Sequence, residues 1–250
     1  MENYIRAKRF GRLINFSHVF LGMALVRGWG FHISDMFDFL KIVIIFGVFL
    51  YGSLYAINNI ADRNVDKKSK LKARRVVADG QISYRWLRWD ATIGIVLAFI
   101  LTWVLYPRLI GIAGIFLGLN LLYTFFFKRI DQMVASIIMS LSHPLRVAMG
   151  VAMLGENLWK FLPWYLLVWM GLIAILTRKI QNERKRYFVT TIRLIRWFSL
   201  GMFIVLFVAL TMKHDHLIVL AIYGVYYLGF HVVFHFSPAW RQRIFAAWRY

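Results

Sequence analysis

The fold is decided by residues 58–66, Asn58-Asn59-Ile60-Ala61-Asp62-Arg63-Asn64-Val65-Asp66. This stretch directly follows an apolar run, residues 39–57 (FLKIVIIFGVFLYGSLYAI), which is long enough to cross a membrane as a helix. If that helix continues, Asp62 and Asp66 are four residues apart and share one face, and Asn58 and Asn59 lie on the same side. Oxygen ligands clustered at the end of a membrane helix favour a hard cation such as Mg²⁺, or a phosphate held through one.

The composition predicts an integral membrane protein. Of the 250 residues, 60% are hydrophobic, which is more than a soluble domain of this size carries throughout its length. The formal net charge of +20 lies between the apolar runs, and this favours cytoplasmic loops facing anionic lipid over binding to nucleic acid. The absence of cysteine excludes disulfides, thiolate metal sites and a cysteine nucleophile. We interpret the first apolar run as a retained span and not as a signal peptide.

The pattern of apolar runs predicts an all-α integral membrane bundle of about eight transmembrane helices, at about 13–29, 37–57, 90–106, 109–127, 133–154, 160–177, 197–212 and 217–235. Most of the 31 Lys and Arg residues fall at the N-terminus, in every second loop and at the C-terminus. By the positive-inside rule, both termini and two charged caps, residues 58–89 and 178–196, are expected on the cytoplasmic side. We interpret residues 1–250 as a single domain that ends in an interfacial amphipathic helix over about 238–250.

Basic residues follow the acidic stretch, and among them are Lys72 and Arg75. Carboxylates that hold a metal would then lie beside bases that hold phosphate oxygens, a pairing that suits a diphosphate. The alternative is a solvated basic loop in which Asp62 and Asp66 pair with Arg63 and nearby lysines.

This segment resembles the first aspartate motif of the UbiA superfamily of membrane prenyltransferases, N-D-x-x-D-x-x-x-D, and the basic run that follows it. The resemblance implies Mg²⁺ as cofactor, and it assigns roles to six residues: catalytic Asp62 and Asp66, metal-binding Asn59, Asp62 and Asp66, and substrate-binding Asn58, Lys72 and Arg75. Three positions depart from the family pattern. Asn59 replaces the first aspartate, and Lys70 and Val76 stand where prolines are usual. An asparagine still offers one neutral oxygen, so we expect weaker metal binding and not its loss.

Two further segments resemble later parts of the same family. Asn120, Tyr123 and Lys128 match the end of its fourth helix, where the lysine would meet a phosphate; the alternative is a lysine that extends to the membrane interface. Arg146 lies midway along the fifth predicted span and should face the bundle interior or a wet cavity. It resembles the L-R-x-x-x-G stretch of the polyprenyl-phosphate phosphoribosyltransferase branch, and its alternative role is a structural pair with an aspartate. His143 is expected to be a packed histidine, not a metal ligand.

The second cap carries Arg178, Lys179 and Glu183, in a segment where aromatic prenyltransferases of the superfamily have a second aspartate motif. Here Glu183 is the only acid, and the segment is closer to the Lys-Arg-x-x-Glu type of the phosphoribosyltransferase branch. All three residues are therefore expected to bind substrate. The alternative is a helix end surrounded by anionic lipid headgroups.

Together these matches imply an enzyme, a Mg²⁺-dependent transferase acting on a polyprenyl lipid and a diphosphate-bearing substrate. Phosphoribosyl transfer from phosphoribosyl diphosphate to polyprenyl phosphate is slightly favoured. Prenyl transfer from a polyprenyl diphosphate to an aromatic or other lipophilic acceptor is one alternative, and a degenerate relative that only binds lipid phosphate or acts as a scaffold is another. The expected location is a bacterial or archaeal cytoplasmic membrane with the active side cytoplasmic, and the sequence is compatible with a monomer or an oligomer.

Overall fold

The computed structural model describes residues 7–8, 13, 15–28, 30–68, 77, 79–130 and 132–158. Within these residues the chain is helical and contains no strand, as predicted for this part of the chain. Its helices are α1 (Ser17–Arg27), α2 (Ile33–Lys67), α3 (Tyr84–Leu105), α4 (Pro107–Ile130), α5 (Gln132–Ser140) and α6 (Ser142–Met153). The last three predicted spans, the second cap and the amphipathic tail lie outside the described residues, and so do Lys72, Arg75, Arg178, Lys179 and Glu183.

Three of the described helices are long and apolar enough to cross a membrane. They are α2 with 35 residues, α3 with 22 and α4 with 24, and they cover the second, third and fourth predicted spans. The first predicted span contains α1, which has 11 residues. The fifth is divided at Leu141 into α5 and α6. Pro144 explains this division, because it has no N–H to donate to the carbonyl of Ser140 and is tolerated only in the first turn of a new helix.

Helix α2 continues ten residues past the predicted end of its span. Its middle, Val43–Tyr51, winds in wider π-type turns, and its last part, Gly52–Lys67, is α-helical. The predicted cap at 58–89 is therefore helical through Lys67 and again from Tyr84, with a turn at Gly80 (φ 78°) before α3. The acidic stretch consequently lies on a helix and not in a loop.

Loop contacts distinguish the two ends of the bundle. At one end, the Tyr106 hydroxyl donates to Asp38 at 2.7 Å, and Arg108 donates to the carbonyl of Gly155, also at 2.7 Å. These contacts bring together the start of α2, the α3–α4 junction and the end of α6. The acidic stretch at the end of α2 lies at the opposite end, as antiparallel neighbouring helices require.

Two glycines let α1 and α6 touch through their backbones. A Cβ atom added to Gly22 would lie 2.0 Å from the carbonyl oxygen of Val147, and one added to Gly150 would lie 2.0 Å from the carbonyl oxygen of Val19. Small residues permit this close approach in membrane helices, where packing contacts stabilise association. The contact fixes α6, and with it Arg146, against α1.

The face of α3 that points away from the bundle is apolar. Its exposed side chains include Trp86, Trp89, Ile93, Ile100 and Trp103. The opposite face packs on α2, where Gly94 approaches the Ser53 hydroxyl so closely that an added Cβ would lie 2.2 Å from it. We interpret the exposed face as the surface that meets lipid, with tryptophans toward both ends.

We predict that Gly22→Ala destabilises the protein by about 2–3 kcal/mol, because the new methyl group would displace backbone and not a flexible side chain. The matched control is Gly114→Ala on α4, where an added Cβ meets nothing within 4 Å. Thermal unfolding in detergent, followed by circular dichroism, measures both effects. Equal midpoints for the two variants would contradict the close α1–α6 packing.

Candidate active site

Lys128 of α4 lies against the acidic face of α2. Its ammonium group donates to Oδ2 of Asp62 and lies 3.4 Å from Oδ1 of Asn58. Asp62 and Asp66 are both buried, with 9% and 2% of their surface exposed. Because they lie one turn apart on one helix face, both carboxylates are presented on the same side. Two segments that were predicted separately, the acidic stretch with Asn58 and Asp62 and the end of α4 with Lys128, are thus brought together.

The end of α4 positions Lys128. Residues Tyr123–Phe127 form wide π-type turns directly before it, an irregularity that is frequent at functional sites. The ammonium group lies 5.8 Å from the centroid of the Tyr123 ring, a cation–π distance. Lys128 is therefore directed at the predicted site and does not simply extend to the membrane interface. Arg63, the partner suggested for the acids in the alternative interpretation, instead lies over the ring of Tyr84 at 5.3 Å.

The amide nitrogen and the amide oxygen of Asn59 differ in their contacts. Its nitrogen donates to the backbone carbonyl of Ala7 at 2.7 Å, whereas its oxygen is buried without a hydrogen-bond partner in the described part of the chain. An aspartate cannot donate to a carbonyl. The departure from the family motif at this position therefore has a structural reason, since only the amide can bind Ala7 and still offer an oxygen.

The N-terminal segment was not expected near this site. Ala7 packs in a small apolar cluster with residues of α2 and α3 that include Ala56 and Ala91, and Lys8 pairs with Asp90 of α3 at 2.8 Å. The sequence did not indicate these contacts, because they join residues far apart in the chain. The asparagine at position 59 departs from the family motif, but this departure does not show which carbonyl the amide binds.

Asn120 and Arg146 lie deeper in the bundle than the acidic face. The amide nitrogen of Asn120 donates to the carbonyl of Phe116 in its own helix at 2.8 Å. Arg146 is fully buried among aromatic rings, one of which belongs to Tyr51. Tyr51 precedes Asp62 by eleven residues, which is about 16 Å along a helix. The predicted substrate-binding residues thus occupy two places, one at the end of α2 and one in the interior.

His143 lies next to a histidine that the sequence did not connect with it. Its ring is in edge contact with the ring of His18, with 4.9 Å between centroids. No cluster of three or more His, Cys, Asp or Glu residues able to hold a metal occurs among the described residues. The ring contact is the kind of packing that was expected for His143.

The donor atoms at the end of α2 fit a hard cation. Asn59, Asp62 and Asp66 are spaced by three and four residues, and the Asn59 oxygen is buried and unpaired within the described ranges. Mg²⁺ in proteins commonly takes one or two carboxylates, with substrate phosphates and water completing its octahedron. Two carboxylates and one amide oxygen therefore suffice for a cation that arrives with a diphosphate.

We predict that Asn59→Asp loosens the N-terminal segment. The new carboxylate would face the Ala7 carbonyl without a proton to share, and an unpaired buried acceptor costs about 1–3 kcal/mol. Tryptic cleavage after Lys8 should accelerate about tenfold or more. The control is Asn64→Asp, an exposed position on the same helix. If the two variants are cleaved at equal rates, the Asn59–Ala7 contact does not hold the segment.

The chain is similar to known proteins over most of its length. The model of the UbiA prenyltransferase family matches residues 15–250. A solved UbiA homolog from Archaeoglobus fulgidus bound to DMAPP and Mg²⁺ is similar with a TM-score of 0.65 and 12% identity, covering 94% of this chain and 88% of that chain. The structure of a UbiA homolog from the same organism bound to GPP and Mg²⁺ has a TM-score of 0.61 and 12% identity, covering 94% and 89%.

No curated protein matches the chain. At 12% identity, the two structural likenesses establish a shared fold. The family match covers nearly the whole sequence, including the acidic stretch of α2 and the lysine of α4. The chain therefore belongs to the UbiA prenyltransferase family.

Proposed function

We propose that the chain is a Mg²⁺-dependent intramembrane transferase that acts on a polyprenyl lipid and a diphosphate-bearing substrate. The observation that carries this proposal is the pair of buried carboxylates on one face of α2, opposed by Lys128 of α4. Ionisable side chains that face the interior of an apolar bundle commonly mark a substrate or ion pathway. The ligands in the two similar structures, DMAPP and GPP with Mg²⁺, have the same chemistry.

Each residue has a distinct part in this proposal. Asp62 and Asp66 hold Mg²⁺, with the Asn59 oxygen as a neutral third ligand. When bound, Mg²⁺ supplies positive charge to the diphosphate oxygens as the leaving group departs. Lys128 donates hydrogen bonds to the same group of oxygens, with the ammonium already oriented by Asp62 and Asn58. Lys72 and Arg75 follow in the sequence as further cations for the diphosphate.

Two observations bear on which group is transferred. The second cap contains one acid, Glu183, together with Arg178 and Lys179. This composition suits a single phosphate more than a second metal-bound diphosphate, and it slightly favours phosphoribosyl transfer to a polyprenyl phosphate. The ligands of the two similar structures instead favour prenyl transfer. A non-catalytic relative is the third candidate, favoured by asparagine at position 59.

A transfer assay with purified protein in detergent distinguishes these candidates. One co-substrate set is polyprenyl phosphate with phosphoribosyl diphosphate, and the other is polyprenyl diphosphate with aromatic acceptors. We expect turnover with one of the two co-substrate sets, and we expect EDTA to abolish that turnover. Asp66→Ala should lower kcat/KM by about 100-fold or more, and Asn59→Ala should lower it less because it removes a neutral ligand.

The control for this assay is Asp79→Ala, which removes an acid that is exposed and bonded to Gln81. It should retain full activity. Turnover that persists in EDTA would exclude the metal role. No turnover with either set, together with full biological activity of Asp62→Ala and Asp66→Ala, would support the non-catalytic candidate.

The proposed orientation places both termini and the acidic face of α2 on the cytoplasmic side of a bacterial or archaeal membrane, within one domain of residues 1–250. The cysteine-free sequence makes this testable. Gln81→Cys and Glu156→Cys introduce single thiols at exposed positions at opposite ends of the bundle. A membrane-impermeant maleimide should label Glu156→Cys on intact cells and Gln81→Cys only after permeabilisation. The reverse pattern would invert the topology.

A further inference from the structure

Arg146 is enclosed by three aromatic rings in the interior of the bundle. Its guanidinium carbon lies 4.9 Å from the ring centroid of Tyr51, 5.3 Å from that of Phe16 and 5.4 Å from that of Phe116. These rings come from α2, from the turn before α1 and from α4, and none of the side chain is exposed. The rings stabilise the positive charge through cation–π contacts, but their faces accept no strong hydrogen bonds.

The hydrogen-bond donors of this guanidinium are mostly unpaired. Nη1 lies 3.4 Å from the Ser142 hydroxyl, a long contact. Nε and Nη2 have no hydrogen-bond partner among the residues that the structure describes. Charged donors that are buried without an acceptor are strongly destabilising, so these two donors require an acceptor that the described residues do not supply.

Nε and Nη2 form one edge of a guanidinium group, and Arg27 shows what this edge binds. Its Nε and Nη2 donate to the two carboxylate oxygens of Asp35 at 3.1 and 3.0 Å. These two N–H groups are parallel and match an anion that presents two oxygens side by side. Arg146 presents the same pair of atoms, and the described part of the chain provides no carboxylate opposite them.

We propose that Nε and Nη2 of Arg146 bind the anionic headgroup, a phosphate or a carboxylate, of a lipophilic ligand held inside the bundle. Four observations support a built site: complete burial, a cage of three aromatic rings around the guanidinium, an edge of two buried donors without a partner among the described residues, and backbone contact at Gly22 and Gly150 that fixes α6. A lysine would not substitute, because an ammonium lacks the planar fork.

The position of the Arg146 site indicates which substrate it would bind in the proposed transferase reaction, and this inference rests on that proposed function. Tyr51, whose ring contacts Arg146, lies eleven positions before Asp62, which is about 16 Å along α2. One small diphosphate group cannot contact both places at once. The acidic face therefore takes the diphosphate substrate, and Arg146 takes the second substrate, which must itself be anionic.

The binding experiment uses the full chain in detergent with EDTA present, so that metal-dependent binding at the acidic face is removed. The probes are geranyl monophosphate, geranic acid and geraniol, which share a tail and differ in the headgroup. Affinities are measured by quenching of intrinsic tryptophan fluorescence. We expect at least one anionic probe to bind tenfold or more tightly than geraniol, and the two anionic probes distinguish a phosphate from a carboxylate ligand.

Variants at Arg146 test whether this residue causes the preference for anionic probes over geraniol. Arg146→Met should abolish it, and Arg146→Lys, which keeps the charge and lowers the risk of misfolding, should reduce it about tenfold. Arg27→Lys is the matched control, because that arginine already binds Asp35 and should leave probe affinity unchanged. Equal affinity of the wild type for all three probes would overturn the proposal, as would an anion preference that survives in folded Arg146→Met.

Lys128→Met separates this proposal from the proposed transferase function. A preference lost in Lys128→Met and retained in Arg146→Met would place the anion at the acidic face and overturn the interior site while leaving the transferase proposal intact. An anion preference that depends on Arg146, in a protein without transferase activity, would support the interior site alone.

Discussion

The ion pair between Lys128 and Asp62 is the constraint on which the candidate site depends. It joins two helices whose interacting residues are 66 positions apart in the chain, and it is shielded from water in large part, with 29% of the Lys128 side chain and 12% of the Asp62 side chain exposed. A buried carboxylate without a partner would be strongly destabilising, so the lysine is what allows an acid at this position of α2. The pair also fixes the end of α4 against α2, and both predicted acids consequently lie on the side that α4 faces.

The same pair bears on the proposed phosphate site. If Lys128 changes partner from Asp62 to a phosphate oxygen, the carboxylate needs a new cation, and the Mg²⁺ proposed between Asp62 and Asp66 would supply it. Asn58 would support this exchange, because its neutral oxygen also lies near the ammonium. In the proposed reaction, the electrostatic cost of bringing these charged groups together is met largely when the protein folds, which is the condition for catalysis by preorganised charges.

Local sequence was sufficient to predict the second, third and fourth spans and the shared face of the acids. An uninterrupted run of helix-compatible residues after Ile57 allowed α2 to continue, and the spacing of Asp62 and Asp66 then determined their face. The division of the fifth span had its signal in Pro144. Contacts between distant segments had no such signal, since nothing in the sequence near Lys128 or Asn59 indicates which side chain or carbonyl lies opposite. For Arg146 the interior position was foreseen, whereas its enclosure by aromatic rings from other helices was not.

Lys128 and Arg146 are compensated by different means, and the difference has a consequence for the proposed substrates. Lys128 is partly exposed and has an anionic and a neutral oxygen acceptor at the end of a helix. Arg146 is fully buried and has three aromatic faces and one long contact to the Ser142 hydroxyl, in a place where an ion on its own would have to give up its hydration. An anion can reach such a place most readily when an apolar tail compensates that loss by burial. The interior site that we propose would therefore select amphiphiles, and their headgroups would lie about 16 Å along α2 from the acidic face.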